Sequence, residues 1–442
     1  MERKRKRKIK LWQIAIAIPL TCGLGGWAMT AFMGHNAKRA LDKELAALRA
    51  MGVPTTPAEL QRSVRPADDA APIYTKAIAE MKRVGVMPPQ RTGGVPYERA
   101  LPGERVHREW VASHSGTLTL LTEAAAKPEY VSDVDWASGD IGPWPGHSFT
   151  NLATIARNEA SYEATKLNFS ESLDWLRVVR KVSVHVRERG ILFHFTSHRC
   201  EDAYLSELQE QIALYGANID FLKVARKFLL EPTPATSMAD AMAGDCAMVC
   251  ISFENVARGR DTWDDFGFEK GIDSAAGLQA YALEMPSVHY GVNANLVRTF
   301  RRVVSVLRSN TDLMSAKREL ERLDREVEAD MSLIGRISAI FAPMSSQIIT
   351  SYMRIEAHRR MTRTMLDLYE QKAKSGSFPG TLDASKPYMI DPCSGKPFIY
   401  RREKGRFILY SVGPNGTDEG GKPFRAKVAN PGDDVEIRVP RP

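Results

Sequence analysis

The sequence predicts a mainly α-helical protein with an N-terminal transmembrane helix, a body of helical hairpins stacked in a solenoid-like way, and a small C-terminal α+β module with antiparallel strands. Three observations lead there. No Asp, Glu, Lys or Arg occurs between Leu11 and Met33. Apolar residues recur at spacings of three and four through Phe149–Leu230, interrupted by Gly190 and Gly216. After Gly376 the period changes to two, as in Val435-Glu436-Ile437-Arg438-Val439.

The chain of 442 residues exceeds one ordinary core, so more than one unit is expected. Apolar residues at 43% and charged residues at 26% exclude wholesale disorder. The net charge of +8 is concentrated in residues 1–10, where Arg3, Lys4, Arg5, Lys6, Arg7, Lys8 and Lys10 face only Glu2. A nucleic-acid-binding domain carries its basic surplus on the folded body. Here the body is nearly balanced, so no nucleic-acid partner is expected.

A helix from Leu11 to Met33 is roughly 34 Å long, enough for a hydrocarbon core of about 30 Å. Trp12 and Trp27 are candidate interfacial rings, and lipid tolerates Pro19 and the glycines at 23, 25 and 26. The cationic tail places the N-terminus in the cytoplasm and the remainder outside it. A cleaved signal peptide competes, but the apolar run exceeds the usual h-region of about 7–15 residues and no clear A-x-A site follows. Pro19-Leu20-Thr21-Cys22 is a weak lipidation site. Ile334–Thr350 contains Arg336 and Pro343 and is no second span. The expected organisation is a cytoplasmic tail (1–10), a transmembrane helix (11–33), a stalk (34–66), an extracytoplasmic helical domain (67–345) and the α+β module (346–442). The protein is thus expected to be a single-pass protein of the cytoplasmic (inner) membrane, with its C-terminus outside.

The stalk is an Ala/Leu-rich helix over 36–51, stopped by Gly52 and Pro54. A helix follows from Ala71-Pro72 to Val84, with Pro in the first turn. Met87–Pro102 reads as loop and Glu104–Lys127 as helix. Pro128–His147 is irregular and holds Trp136 and Trp144; a packed surface loop is preferred here over an aromatic lid. Ser170 is a candidate N-cap within the hairpins of Phe149–Leu230. Helices are also expected at Ala235–Arg258 and Ser305–Ala329, with 259–292 loop-rich. No fixed repeat length emerges. Of the five cysteines, Cys246 and Cys250 are spaced i, i+4, which favours buried free thiols over a disulfide. No C-x-x-C occurs.

Gln347–Ser375 reads as one long helix. Ser377-Phe378-Pro379-Gly380-Thr381-Leu382 makes a turn, followed by Asp391-Pro392-Cys393-Ser394-Gly395-Lys396-Pro397-Phe398-Ile399-Tyr400. Pro397–Arg402 and Arg406–Val412 form a hairpin around Glu403-Lys404-Gly405. It leads into Tyr410-Ser411-Val412-Gly413-Pro414-Asn415-Gly416 and the last strand, Val435–Val439. This order resembles the globular domain of the major pseudopilin of type II secretion systems. The whole chain also looks like membrane-anchored bacterial proteins that carry such a tail behind a helical body. The family's processed leader, with its Gly and its Glu at the fifth mature position, has no counterpart in Met1–Lys10. Only the fold of the tail therefore carries over, not the filament role. The resemblance also implies a calcium-binding loop, with Asn415, Asp418, Asp433 and Asp434 as candidate ligands beside main-chain oxygens near Val412 or Gly413. Hard oxygen donors on a tight loop suit that ion; the same residues also suit a solvated turn.

Elsewhere, chemistry is sparsely signalled. His194 and His198 lie one helical turn apart, near His185, Cys200 and Glu201, a spacing that zinc can use. Phe195 stands where a zinc-protease helix needs Glu. Asp133/Asp135 and Asp261/Asp264/Asp265 suit turns and caps better than paired acid–base work. Serine-nucleophile and phosphate-loop motifs are absent. Glu319–Glu328 is a charge-laced helix, a solvated face or a partner-binding one. The expected function is non-enzymatic: scaffolding or protein–protein contact at the cell envelope, linked to secretion through the module. The alternative is an envelope hydrolase with its site among the Trp136/Trp144 loop and residues 261–273. A deep pocket with converging carboxylates or histidines favours the enzyme, and a shallow groove favours the scaffold.

Overall fold

Helical spacing of apolar residues dominates the chain, and helices dominate the computed structural model, with a three-stranded sheet near the C-terminus. The structure describes residues 11–85, 104–138, 144–232, 237–266, 275–310, 312–342, 345–403, 405–422 and 434–439. The helices are α1 (Leu11–Ala50), α2 (Pro57–Leu60), α3 (Ala71–Val84), α4 (Glu104–Ser113), α5 (Ser115–Ala125), α6 (Gly146–Thr165), α7 (Phe169–His185) and α8 (Ile191–Tyr215). They continue as α9 (Ile219–Leu230), α10 (Met238–Ala257), α11 (Ala275–Leu283), α12 (Pro286–Ser309), α13 (Leu313–Ala329), α14 (Leu333–Phe341) and α15 (Ser345–Ser375). Strands β1 (Ile399–Glu403), β2 (Arg406–Ser411) and β3 (Val435–Val439) are antiparallel in that order, with Arg401 opposite Ile408 and Leu409 opposite Ile437. Gly405, at φ 75°, makes the hairpin turn where an L side chain would be strained.

Helix α1 contains the whole charge-free run and continues past it. Among the described residues no helix is long and apolar enough to cross a membrane; the side chains of Leu11–Trp27 lie outside that description. Beyond Met33, where a helical stalk is expected, α1 continues as helix and lies along α12. Leu41 and Leu48 are buried, and Glu44 accepts hydrogen bonds from Arg298 Nε at 2.9 Å and Arg301 Nε at 3.0 Å. Gly34 makes the contact possible: a Cβ there would lie 3.1 Å from Pro286 Cβ.

Three expected boundaries change. Residues 259–292, expected to be loop-rich, hold α11 and the start of α12, with Pro286 in the first turn of α12. Gly291 is not a breaker; a Cβ there would meet Ile334 Cδ1 at 2.6 Å, so it admits α14 against α12. The helix expected over Ser305–Ala329 is divided because Asp312 caps α13, accepting from Met314 N and Ser315 N at 3.4 and 2.9 Å. The helix expected over Glu104–Lys127 is divided at His114, which is fully buried with Nδ1 2.9 Å from Trp110 O. Cys200, Cys246, Cys250 and Cys393 are buried and free.

The C-terminal module shares its core with the body. Phe378, Phe407, Leu409 and Ile437 belong to the same apolar cluster as Leu208 and Ile212 of α8 and Met361 and Met365 of α15. Asp391 fastens the turn after α15 to the end of β2. It is buried and accepts from Cys393 N at 2.8 Å, Ser411 Oγ at 2.7 Å and Val412 N at 3.1 Å.

The packing of α1 has a direct test. Leu48→Ala opens a cavity between α1 and α12 and costs about 2–5 kcal/mol of stability, read as a lower denaturant midpoint. A free stalk would leave the midpoint unchanged.

Candidate functional site

Helix α8 presents His194, His198, Glu201 and Leu205 at spacings of four, three and four, so they share one face. Helix α15 presents Tyr352, Glu356, Arg359, Arg360 and Arg363 in the same way. The two faces enclose a cavity of about 680 Å³, completed by Arg180 of α7, Arg187 just beyond its end, Phe228 of α9 and Tyr388. That volume suits a small-molecule ligand.

Glu201 is the pivot of the cavity wall. Its side chain is 2% exposed. It accepts from Arg359 Nε at 2.5 Å and Nη2 at 2.6 Å, from Tyr204 OH at 3.0 Å and from Arg187 Nη2 at 3.2 Å. Burial opposes its charge, yet the hydrogen bonds and charge of Arg359, with Arg187, hold its carboxyl below the usual carboxylate range. Arg187 Nε also donates to Ser197 Oγ at 3.0 Å. Both of the Glu201 oxygens are occupied, so this carboxylate orders two guanidiniums and is not free to act on a ligand.

The remaining charge is cationic. Five arginines line the cavity; Arg180 pairs with Glu231, and the other four are set against the carboxylates of Glu201 and Glu356. Glu356 pairs with Arg359 at 3.1 Å and Arg360 at 2.8 Å. Among the described residues Arg363 has no carboxylate partner. Its guanidinium lies 4.1 Å from the Tyr388 ring centroid and its buried Nε has no hydrogen-bond partner. Tyr388 is held in place by its hydroxyl, which donates to Asp367 Oδ2 at 2.5 Å; Lys386 and Arg226 bind the same carboxylate.

The two histidines are held neutral. Burial, with His198 and Arg187 nearby, pushes His194 down to about 3. Burial first, then Arg359 and Arg187 against the opposing pull of Glu201, pushes His198 down to about 4. His194 is 6% exposed and its Nε2 has no partner. A neutral ring nitrogen in that position can donate to, or accept from, a polar ligand group. The cavity thus combines guanidiniums, which suit anionic groups, with aromatic faces and one unsatisfied imidazole.

The residues singled out in the sequence are distributed differently. Trp136 and Trp144 pack on Phe193, with ring centroids at 6.0 and 4.3 Å, and Trp144 Nε1 donates to Thr196 Oγ1 at 3.1 Å. That is the packed loop, over its described residues. Asp135 accepts from Ala137 N at 3.0 Å, a turn contact. Trp263, beside Asp261 and Asp264, packs on Phe253; residues 267–273 of the expected hydrolase segment lie outside the described residues. None of Asp133, Asp135, Asp261 or Asp264 lines the cavity. His185 bonds with Tyr74 OH and Lys127 O instead of joining His194 and His198.

In the candidate calcium loop, Asp434 Oδ2 accepts from three main-chain donors, Glu419 N, Gly421 N and Lys422 N, at 3.2, 2.7 and 3.1 Å. Asp418 Oδ1 accepts from Tyr410 OH and Gly420 N, and Asn415 Oδ1 from Thr417 N. These oxygens close the loop on itself. Asp434 Oδ1 is buried without a partner, and Asp433 lies outside the described residues. Among those residues no group of three His, Cys, Asp or Glu is placed to hold a metal ion.

The sequence pointed to His194, His198 and Glu201 as neighbours but missed α15, Arg187 and Tyr388. The available signal was Glu356, Arg359, Arg360 and Arg363 at helical spacing on a helix that also carries a full apolar stripe. Charge at core spacing marks a wet interface between helices.

No protein-family model, curated protein or solved structure matches the chain.

Two outcomes follow from the geometry. Glu201→Gln leaves Arg187 buried without its counter-charge and Arg359 with Glu356 alone, and costs about 3–5 kcal/mol in denaturant unfolding. His194 and His198 have folded pKa values below the ordinary 6.5, so the unfolded chain binds more protons between about pH 6.5 and 4. Stability therefore falls as pH drops through that window. Substituting both histidines by Gln shrinks this slope, read as the denaturant midpoint against pH. A steep slope that survives unchanged would show that neither is held neutral.

Proposed function

We propose that the protein is a single-pass, membrane-anchored extracytoplasmic binding protein whose helical body takes up a small anion with an apolar or aromatic portion. One observation carries this: the cavity between α8 and α15, where five arginines exceed the carboxylates and Arg363 has no acidic partner among the described residues. The flat faces of Tyr352, Tyr388 and Phe228 supply the apolar part of the fit. Carboxylate and phosphate heads share the chemistry that a guanidinium cluster recognises.

The anchor is supported by the charge-free run Leu11–Met33 after a cationic tail. The tail module supports a place in the envelope through its pseudopilin-like order of helix, turns and strands. Protein partners there remain part of the reading; the cavity adds a small-molecule role to scaffolding alone. The hydrolase alternative gains no support from the described part of its expected site, where Trp136 and Trp144 pack on Phe193.

Isothermal titration of the detergent-purified full chain tests the binding role with inorganic phosphate, phenyl phosphate, benzoate and uncharged phenol. Phenyl phosphate and benzoate bind, phenol does not, and phosphate binds more weakly than its phenyl ester. Arg363→Ala weakens phenyl phosphate by about ten- to hundred-fold, the worth of one charge-assisted hydrogen bond at about 1.5–3 kcal/mol. Absence of binding by every anion, or equal binding by phenol, overturns the reading.

A further inference from the structure

The exposed apolar side chains are not scattered evenly. On α1, Met29, Phe32 and Met33 are 65%, 66% and 50% exposed, at spacings of three and one. On α11 and the turn after it, Leu278, Tyr281 and Met285 are 56%, 48% and 45% exposed, at spacings of three and four, which makes one stripe. Two helices thus leave one face each unpartnered.

The two stripes end beside one another. Gly34 of α1 abuts Pro286 at the start of α12, and a Cβ on Gly34 would sit 3.1 Å from the proline's own. Met33 and Met285 are the preceding residues of that pair. Lys38 Nζ then lies 5.8 Å from the Tyr290 ring, and Glu44 meets Arg298 and Arg301, so α1 and α12 run parallel away from this point. The apolar end of the pair is therefore the end from which the uncharged Leu11–Met33 run departs. One turn further on, Lys38 and Arg39 are exposed, placed for anionic headgroups.

We infer that Met29, Phe32 and Met33 of α1 together with Leu278, Tyr281 and Met285 form a lipid-facing collar that seats the body on the outer surface of the bilayer. The inference rests on the membrane-anchor reading for its occupant. The body does not dangle from a tether; it rests on the membrane beside its own anchor, and the α1–α12 pair fixes its tilt. Exposed apolar stripes beside a span are stable when lipid covers them.

The test uses the full chain in vesicles of phosphatidylcholine and phosphatidylglycerol. An environment-sensitive fluorophore is attached at Leu278→Cys or Tyr281→Cys, with Leu167→Cys and Leu230→Cys as exposed controls on other helices. Cys200, Cys246, Cys250 and Cys393 are buried, and every labelled variant also carries Cys22→Ser. Lipids carrying a spin-label quencher are added, and alkaline-carbonate extraction is read on the same samples. Quenching at 278 and 281 at least twofold above that at 167 and 230 is expected. Equal quenching at all four sites, or none at 278 and 281, overturns the collar. Carbonate resistance without quenching at 278 and 281 keeps the anchor and sinks the collar. Carbonate release with quenching retained sinks the anchor and keeps the lipid-facing surface.

Discussion

The structure depends on one buried ion cluster. Glu201 sits on α8, Arg187 just beyond the end of α7 and Arg359 on α15, and their charges meet where three helices converge. Separated charges in this position would be severely destabilising, whereas paired ones are tolerated. The fork of Arg359 fits both carboxylate oxygens, so the pair fixes rotation as well as distance. Two long helices distant in sequence are thereby held in one register, and the C-terminal module, which hangs from α15, is positioned with them.

The cavity is a consequence of that register. Apolar residues on α8 and α15 could close the gap only where both helices carry them. At the level of Glu201 both carry long charged side chains, which pair across the gap without filling it. Packing resumes below, where Tyr369 Oη donates to Ala213 O at 3.2 Å and Gly216 admits the Tyr369 ring. A glycine at this position is a requirement of approach: a Cβ on Gly216 would overlap the ring. Tight contact at one end and charge at the other give a cleft that is rigid and open.

Helix identity and order were legible in the sequence because the apolar period of Leu173, Leu176, Val179 and Val182, or of Ile355 and Met361 to Leu368, is long and regular. Breaks were less legible. Gly291 reads as a loop residue until Ile334 is known to need its space. His114 and Asp312 divide helices through local hydrogen bonds that periodicity does not register. The hairpin was legible because a Gly-containing turn and alternation occur together. The candidate site was half legible: the α8 face stood out, but its partners lie more than a hundred residues away on α15, and sequence spacing is silent on long-range pairing. The helix expected over 36–51 is present within α1, but its packing on α12 was not legible, since an Ala/Leu face looks the same whether it meets a helix or water.

What the cavity can do chemically is narrowed by the direction in which its groups are shifted. General acid–base work is most effective with a group that titrates near the working pH. Here the environment drives lining groups the other way. The His194 and His198 imidazoles are pushed to about 3 and 4, Glu201 is held below its ordinary range, and burial pushes Tyr204 upward. Each is fixed in one protonation state across neutral pH: neutral rings, an ionised carboxylate and an intact phenol. Groups fixed in this way make donors and acceptors of constant character, which is what recognition requires. At His194 the unpartnered Nε2 shares the cavity with Arg187, which depresses the ring after burial and His198. An anion beside it would offset Arg187 and leave burial, the largest cause, in place, so the ring stays a neutral donor or acceptor. A lining of this kind suits recognition of an occupant's charge better than proton transfer to it.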